Sequence, residues 1–301
     1  MKIVITGATG SIGSLVTDRL WSQYHSLILL SRNLPREANV TKKEWHAWKP
    51  GIPGNWEQSI DGSDGIINLA GEPIAAKRWT EAQKEKIHSS RVDTTRALVS
   101  AIAKAKNKPK FLISASAVGF YGPRGDEQIT EESAPGNDYL SRVCVDWEAA
   151  AKKAESDGVR VVLLRTGIVL DKGKGALAKM VPPFKFFAGG PLGSGNQWMP
   201  WIHIEDQVGL LLFLMENDDA RGAFNSTAPN PVTMAEFSKT LGNVLNRPSW
   251  ATVPAGVLAL LVGEMSEMLL NGQRAVPQAA LKQGYQFRYP NLLPALQSLN
   301  L

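Results

Sequence analysis

The sequence has a single cysteine, Cys144, among its 301 residues, so an internal disulfide is excluded. A chain without disulfides is typical of a reducing compartment. Long apolar runs are also missing, because stretches such as residues 257–262 are far shorter than the roughly 20 residues that span a bilayer. Since Lys2 leads directly into apolar sequence, we predict no signal peptide, no membrane contact and a cytoplasmic protein.

Strong charge and metal-ligand patterns are missing as well. The net charge is only +5, and the clearest cluster of cations, at residues 104–110, follows a predicted helix, where lysines complement the helix dipole. No basic stripe carries interleaved aromatic residues, so we predict no nucleic-acid binding. The four histidines are scattered without the spacing of metal ligands, and we predict no metal site.

What the chain does have is a glycine-rich turn at its amino terminus, between a predicted strand and a predicted helix. A β-branched run ends at Gly7, and Gly10 and Gly13 follow at three-residue spacing. Gly7 allows a tight turn, Gly10 lets a pyrophosphate approach the backbone, and Gly13 lets the helix pack close to the strand. The first N–H groups of the helix then face the phosphates, which favours a dinucleotide site over an ordinary turn.

The end of the second predicted strand indicates which dinucleotide the site binds. The run 27–30 ends at Ser31 and Arg32, about twenty residues after the last glycine. A carboxylate at this place would bind a ribose 2′-hydroxyl and repel a 2′-phosphate, whereas a hydroxyl and a guanidinium do the reverse. We therefore predict NADP(H) rather than NAD(H); the alternative is an arginine in a solvated loop.

The chain alternates strands and helices through its first half, the pattern of an α/β, doubly wound, Rossmann-type parallel sheet. Residues 33–60 are predicted irregular, and two helical stretches are predicted at 80–87 and 89–105. After about residue 170 the sequence changes to glycine-rich loops and short helices punctuated by proline. We predict a Rossmann domain over 1–170, to which elements of 200–230 return, and a substrate-side, mostly helical carboxy-terminal lobe over 171–301.

Polar residues follow the predicted strand 111–114, at the edge of the sheet where substrates bind. Ser116 and Tyr121 come first, and Tyr139 begins the next predicted helix. Hydroxyl groups at the carboxyl end of a parallel strand point towards a ligand. Farther along, we expect Asp206 to cap a helix over 207–216 and His203 to be structural.

Together these segments resemble the extended short-chain dehydrogenase/reductase superfamily, which has the fold of nucleotide-sugar epimerases. More narrowly, the chain resembles the atypical "epimerase family" proteins, some of which are labelled cell-division inhibitors. The matching segments cover essentially the whole chain. They are Gly7 to Gly13, Asn68-Leu69-Ala70-Gly71, Arg78-Trp79-Thr80, Ser90-Arg91, Tyr121-Gly122, Arg165-Thr166-Gly167, Gly189 to Gly195, Trp201-Ile202-His203 and Gly272-Gln273-Arg274.

The resemblance implies NADP(H) binding, a small carboxy-terminal domain and a substrate that is generally unassigned. It also implies a set of cofactor-binding residues: the pyrophosphate turn, the 2′-phosphate site, the adenine and ribose side, and further positions beside the cofactor, of which the last follows the strand that passes the nicotinamide. In that order they are Gly7, Thr9, Gly10, Ser11, Ile12 and Gly13; Ser31 and Arg32; Leu69, Ala70 and Gly71; and Lys86, Arg91 and Val169.

The departure from the superfamily concerns catalysis. Working members pair a tyrosine with a lysine four residues later, and the lysine lowers the tyrosine pKa for proton transfer. Ser116 and Tyr139 stand where the serine and tyrosine belong, but Val143 stands where the lysine belongs. An apolar side chain cannot lower a pKa, so Tyr139 is a poor base at neutral pH.

Two hypotheses follow. The first is an NADP(H)-dependent oxidoreductase in which Ser116 polarises a small carbonyl or sugar-type substrate and Tyr121 or Tyr139 donates the proton. Reduction ranks above epimerisation, because epimerisation needs a proton shuttle that works in both directions. The second is a non-catalytic NADP(H)-binding regulator, for example in cell division, that acts through a protein partner. The predicted partners are a small-molecule substrate and either a protein partner or a second copy of the chain.

Overall fold

The structure is a computed structural model that describes residues 1–34 and 43–301. In chain order, the strands of these residues are β1 (Lys2–Thr6), β2 (Ser26–Ser31), β3 (Glu44–Ala47), β4 (Gly65–Asn68), β5 (Phe111–Ala117), β6 (Gln128–Ile129), β7 (Arg160–Thr166), β8 (Ile168–Leu170), β9 (Trp198–Met199), β10 (Trp201–His203), β11 (Gly222–Ser226), β12 (Val232–Thr233) and β13 (Arg274–Ala275). The α-helices are α1 (Ser11–Ser22), α2 (Glu81–Lys104), α3 (Tyr139–Lys152), α4 (Leu177–Lys185), α5 (Ile204–Glu216), α6 (Met234–Leu245), α7 (Ala255–Val262), α8 (Ser266–Leu270), α9 (Gln278–Lys282) and α10 (Leu292–Ser298).

Within the described residues, seven parallel strands form the central sheet, in the order β11-β7-β5-β4-β1-β2-β3. Both faces of the sheet are covered, as its continuous apolar strands require. In β1, for example, Ile3 and Ile5 pack with residues of α1 and α5, whereas Val4 packs on the opposite face with residues of α2. This is the predicted α/β, doubly wound Rossmann-type architecture, and the fold prediction is confirmed.

The strand order reverses direction between β1 and β4, which lie side by side at the centre of the sheet. Their register pairs Ile5 with Ile67 and Thr6 with Asn68, so both strands end at the same level. In open α/β sheets this topological switch point is where the crevice outside the carboxyl ends of the strands forms. The fold therefore brings the Gly7 turn next to the residues that follow β4.

Two predicted boundaries need correction. The stretches 80–87 and 89–105 form one helix, α2, because no glycine or proline interrupts them. Within it, the Ser89 and Ser90 hydroxyls donate to the carbonyls of Glu85 and Ile87. Residues 33–60 are not wholly irregular, because β3 pairs with β2. Part of this second prediction, residues 35–42, lies outside the described residues.

The predicted cap of α5 is also wrong. His203 is the N-cap residue, and its Nδ1 accepts the N–H of Glu205 at 3.1 Å. Asp206 lies one turn inside, where its buried carboxylate accepts the N–H groups of Arg288 and Tyr289 at 2.7 and 2.9 Å. Asp206 therefore holds the carboxy-terminal segment, and His203 is structural, as predicted.

The second half of the chain adds to both sides of the crevice. Strand β11, within the predicted returning segment 200–230, pairs with β7 at the edge of the central sheet. Helices α4, α6 and α10 share a separate apolar core. The domain boundary near residue 170 stays a prediction. No helix of the described residues is long and apolar enough to cross a bilayer.

Candidate cofactor and active site

The glycine turn after β1 is built around two close approaches of the backbone. Gly7 has a φ of +70°, and a Cβ there would lie 2.7 Å from the carbonyl carbon of Leu69. A Cβ on Gly13 would lie 2.1 Å from the Gly7 oxygen. Both positions therefore require glycine, Gly7 for the left-handed turn and Gly13 for the contact of α1 with that turn.

Gly10 is different, because its surroundings are open. It is the N-cap of α1 with φ −76°, and a Cβ there would meet one heavy atom of the described residues within 4 Å beyond its chain neighbours, the Gly7 oxygen at 3.2 Å. The first turn of α1 carries no acidic residue of its own, so no carboxylate of the helix itself neutralises its positive dipole end. Space above Gly10 and a helix amino terminus are what a pyrophosphate requires.

The other residues predicted to bind the pyrophosphate lie around this opening. Thr9 is exposed, and Ser11 and Ile12 are half-buried at the start of α1. The Ser11 hydroxyl contacts the carboxylate of Asp171, which directly follows β8. Asp171 is a neighbour that the sequence pattern did not reveal, since it is 160 residues away along the chain.

The residues after β4 form the wall next to the turn. The N–H groups of Leu69 and Ala70 both donate to the Thr6 hydroxyl at 3.2 Å. Arg91 donates to the carbonyls of Glu72 and Ile87 at 3.0 and 2.9 Å. Arg91 therefore ties the loop that follows β4 to helix α2, and burial lowers the pKa of its guanidinium.

The other residues predicted to bind the cofactor lie on several elements around the turn. Gly71 faces Arg91, because a Cβ on Gly71 would lie 3.2 Å from the Arg91 Cζ. Ser31 ends β2 and donates its hydroxyl to the Asn33 carbonyl at 2.7 Å, and Arg32 is exposed beside it. Lys86 is exposed on α2, and Val169 is half-buried in β8.

The carboxyl ends of β5 and β7 carry a buried polar network that contains two of the predicted catalytic residues. Arg165 makes a bidentate ion pair with Glu148 at 2.8 and 2.9 Å. The Ser116 hydroxyl donates to Glu148 at 2.7 Å. Arg165 also donates to the Tyr121 hydroxyl at 2.9 Å, and that hydroxyl in turn donates to Asn225 at 2.7 Å.

This network does not match the predicted roles of Ser116 and Tyr121. Tyr121 is fully buried, and burial raises its pKa to about 12. The single proton of the Ser116 hydroxyl is directed at Glu148, so in this arrangement it is not available to polarise a carbonyl. Both residues act here as part of a satisfied core network. The sequence did not predict that Glu148 and Arg165 belong to this network, because they lie on different elements, α3 and β7, and meet only in the folded chain.

Tyr139 lies elsewhere, at the start of α3, and is half-buried. Its hydroxyl donates to the carbonyl of Lys84 at 2.7 Å, and its ring packs edge-on against Trp79 with centroids 5.5 Å apart. The Lys84 ammonium is 5.6 Å from the ring centroid. The pKa of Tyr139 is raised because burial outweighs the opposing charges of Arg91 and Lys84.

The segment 71–80 also joins the sheet to the carboxy-terminal helices. Arg78 donates to the carbonyls of Leu260 and Leu261 at the end of α7, and Lys84 pairs with Glu264. Cations at a helix carboxyl end complement its dipole. Among the described residues, no cluster of three His, Cys, Asp or Glu side chains could hold a metal ion.

A glycine turn at the switch point of a parallel sheet, with an open helix amino terminus beside it, defines a Rossmann-type nucleotide-binding protein. Residues 3–226 match the NAD dependent epimerase/dehydratase family, and residues 253–299 match a domain of unknown function, DUF1731. The chain belongs to this epimerase/dehydratase family, and the resemblance predicted from the sequence is confirmed.

Similar proteins extend over the full chain. The epimerase family protein YfhF of Bacillus subtilis is 42% identical over 99% of this chain and 98% of its own length. An Arabidopsis thaliana chloroplastic homolog of epimerase family protein SDR39U1 is 41% identical over 99% of this chain and 86% of its own length. The crystal structure of human SDR39U1 with NADPH has a TM-score of 0.89 at 34% identity and covers 99% of both chains.

Proposed function

We propose that this chain binds NADP(H) in the crevice at the Gly7 turn. The observation that carries the proposal is the open space above Gly10, next to two positions where the backbone packing itself demands glycine. The 2′-phosphate would contact Ser31 and Arg32, which lie at the end of the neighbouring strand β2. The human relative crystallised with NADPH supports the same choice of cofactor.

We further propose that the protein is an oxidoreductase that reduces a small carbonyl or sugar-type substrate. The bound nicotinamide would supply the hydride, and the protein must supply a proton. The raised pKa of Tyr139 keeps its phenol protonated at neutral pH, which is the form that a proton donor needs and that a base cannot use. Because Val143 offers no cation to lower that pKa, a shuttle that must also accept protons, as in epimerisation, is disfavoured.

Tyr139 is the best placed of the three predicted hydroxyls for this role. It is half-buried, and its hydroxyl is held by one backbone carbonyl, so rotation of the side chain breaks a single hydrogen bond. Tyr121 is fully buried and bonded on both sides, and Ser116 is bound to an ion-paired carboxylate. We assign Tyr139 as the donor and Ser116 and Tyr121 to the supporting network.

The test is a screen of aldehydes and ketones for oxidation of NADPH by the native protein. With an active compound in hand, Tyr139→Phe should lower kcat by about a hundredfold, the usual scale of general acid catalysis. Leu140→Met, on the neighbouring position of α3, is the matched control. Unchanged turnover in Tyr139→Phe would remove Tyr139 from the mechanism, whether or not NADPH still binds.

A second candidate function rests on a specific observation. The hydroxyls of Ser116, Tyr121 and Tyr139 all donate to acceptors within the protein. An NADP(H)-binding regulator without turnover needs no free donor, and it would present different surfaces to a partner with NADPH and with NADP⁺. A screen without turnover, together with capture of a partner by only one cofactor form, would favour this candidate. A link to cell division and a cytoplasmic location both stay predictions.

A further inference from the structure

Three large aromatic side chains are exposed together on the surface that follows α4. We name Phe186, Phe187 and Trp250 the aromatic cluster; their exposed fractions are 82%, 56% and 71%. The Trp250 indole N–H donates to the Phe187 carbonyl at 3.0 Å, which fixes the two segments side by side. Exposed aromatic residues in a contiguous group, unlike single ones, mark an interaction surface.

The backbone at Phe187 adds an independent observation. Phe187 has a φ of +61°, in the left-handed region, and follows the last turn of α4. The N–H of Ala188 bonds the Pro183 carbonyl at 2.9 Å, which closes a helix end of the kind that usually has glycine at this position. A bulky residue is disfavoured there, so the chain carries local strain in order to display an aromatic ring.

The size and shape of the cluster indicate what can cover it. At about 150–250 Å² per aromatic side chain, it exposes roughly 400 Å². Two copies face to face would bury roughly 800 Å², below the about 1,200 Å² of a stable specific interface. More than half of each side chain is also exposed, whereas peptides and small ligands bind in grooves and pockets.

Cations border the cluster. Lys185 is exposed and directly precedes Phe186, and the Arg247 guanidinium lies 4.6 Å from the centre of the Phe187 ring. Exposed aromatic rings flanked by lysine and arginine fit a bilayer interface, where rings sit among the headgroups and cations attract anionic lipids. We propose that the aromatic cluster docks this protein reversibly on an anionic phospholipid surface, contrary to the expectation from the sequence that it makes no membrane contact.

The test is co-sedimentation of the full chain with vesicles of phosphatidylcholine alone and of equal parts phosphatidylcholine and phosphatidylglycerol. We expect binding to the anionic vesicles and much weaker binding to the neutral ones. Phe187→Gly should reduce binding about tenfold, since one ring no longer inserts. The same substitution should raise the thermal midpoint of unfolding, because glycine relieves the strained φ.

Tyr24 offers a matched control. It is an almost fully exposed aromatic residue with a φ of +64°, at the end of α1, and the N–H of the next residue, His25, bonds back to the Leu20 carbonyl. Tyr24→Gly should therefore stabilise the fold in the same way and leave vesicle binding unchanged. This pair separates the relief of strain from the loss of the ring.

Three outcomes would overturn the proposal. One is an absence of binding to anionic vesicles by the native protein. Another is equal binding by Phe187→Gly and native protein. The third is a dimer in solution, measured by light scattering, that Phe187→Gly dissociates, because a second copy would then be the occupant. None of these depends on NADPH, so the proposed cofactor function stands or fails separately.

Discussion

The amino-terminal glycine turn and the carboxyl ends of β5 and β7 lie on the same edge of one sheet, yet they are built in opposite ways. At the turn, protein packs tightly against Gly7 and Gly13 and leaves open space over Gly10. At β5 and β7, the polar side chains bond one another in a buried network. The first region is arranged to receive a ligand, and the second is arranged to hold the fold. The polar groups at β5 and β7 are therefore already bonded within the protein, whereas the glycine turn is exposed at Gly10.

The largest effect should come from breaking the network. Glu148→Leu removes one partner of a buried ion pair and leaves the Arg165 charge uncompensated, which should lower the free energy of unfolding by about 3–5 kcal/mol. Denaturant titration measures this loss. The matched control is Asp93→Leu, which removes the partner of Arg96 in an exposed pair and should cost less than about 1 kcal/mol. Equal losses in the two variants would contradict the description of the network as core.

Substitutions of two glycines in the turn should separate an effect on stability from an effect on NADPH binding. Gly13→Ala forces a Cβ against the Gly7 oxygen and should cost about 3 kcal/mol of stability together with NADPH binding. Gly10→Ala brings a Cβ to 3.2 Å from one atom, the Gly7 oxygen, which needs only a small shift, so stability should fall by about 1 kcal/mol, while NADPH affinity falls at least about tenfold. Thermal unfolding and NADPH fluorescence titration measure the two effects. Unchanged affinity in Gly10→Ala would place the pyrophosphate elsewhere.

The burial of Tyr121 predicts a loss of stability at alkaline pH. Unfolded tyrosine loses its proton near pH 10, whereas the folded residue keeps it until about pH 12. Between these values the unfolded state binds fewer protons, so stability should fall as pH rises, by up to about 1.4 kcal/mol per pH unit. Denaturant titrations across this window should show a shallower fall for Tyr121→Phe than for Tyr24→Phe. Identical slopes would contradict the buried phenol.

The smallest expected effect is on the choice between cofactors. Arg32→Asp replaces a cation beside the predicted 2′-phosphate with an anion, so NADPH affinity should fall at least about tenfold more than NADH affinity. Parallel fluorescence titrations with the two cofactors measure the difference. Arg96→Asp, on the exposed face of α2, controls for the change in net charge. Equal losses for NADPH and NADH would remove Arg32 from the 2′-phosphate site.

The fold and the turn could be predicted because their signals are local. The strand, the three glycines and the helix lie within the first 22 residues, and the steric exclusion at Gly13 comes from Gly7 and Ala8 in the same turn. Only the exclusion at Gly7, by Leu69, depends on the switch-point topology. Local patterns also misled at α2, where the helix continues through the polar residues Ser89 and Ser90 without a glycine or proline to end it.

The surroundings of the predicted catalytic residues were harder to predict, because their contacts are distant in sequence. Glu148 meets Ser116 across 32 residues, and Tyr121 meets Asn225 across 104. Only the folded chain shows that these hydroxyls are already bonded. The left-handed backbone of Phe187 could not be predicted from the sequence either. A positive φ is uncommon for a bulky residue, so the residue type at this position predicts a negative φ.

Titration of the native protein with NADPH and with NADH tests the central claim most directly. If the Gly7 turn receives the pyrophosphate and Arg32 the 2′-phosphate, NADPH should bind saturably at one site per chain and at least about tenfold more tightly than NADH. Absence of saturable binding, or equal affinity for both cofactors, would contradict the account.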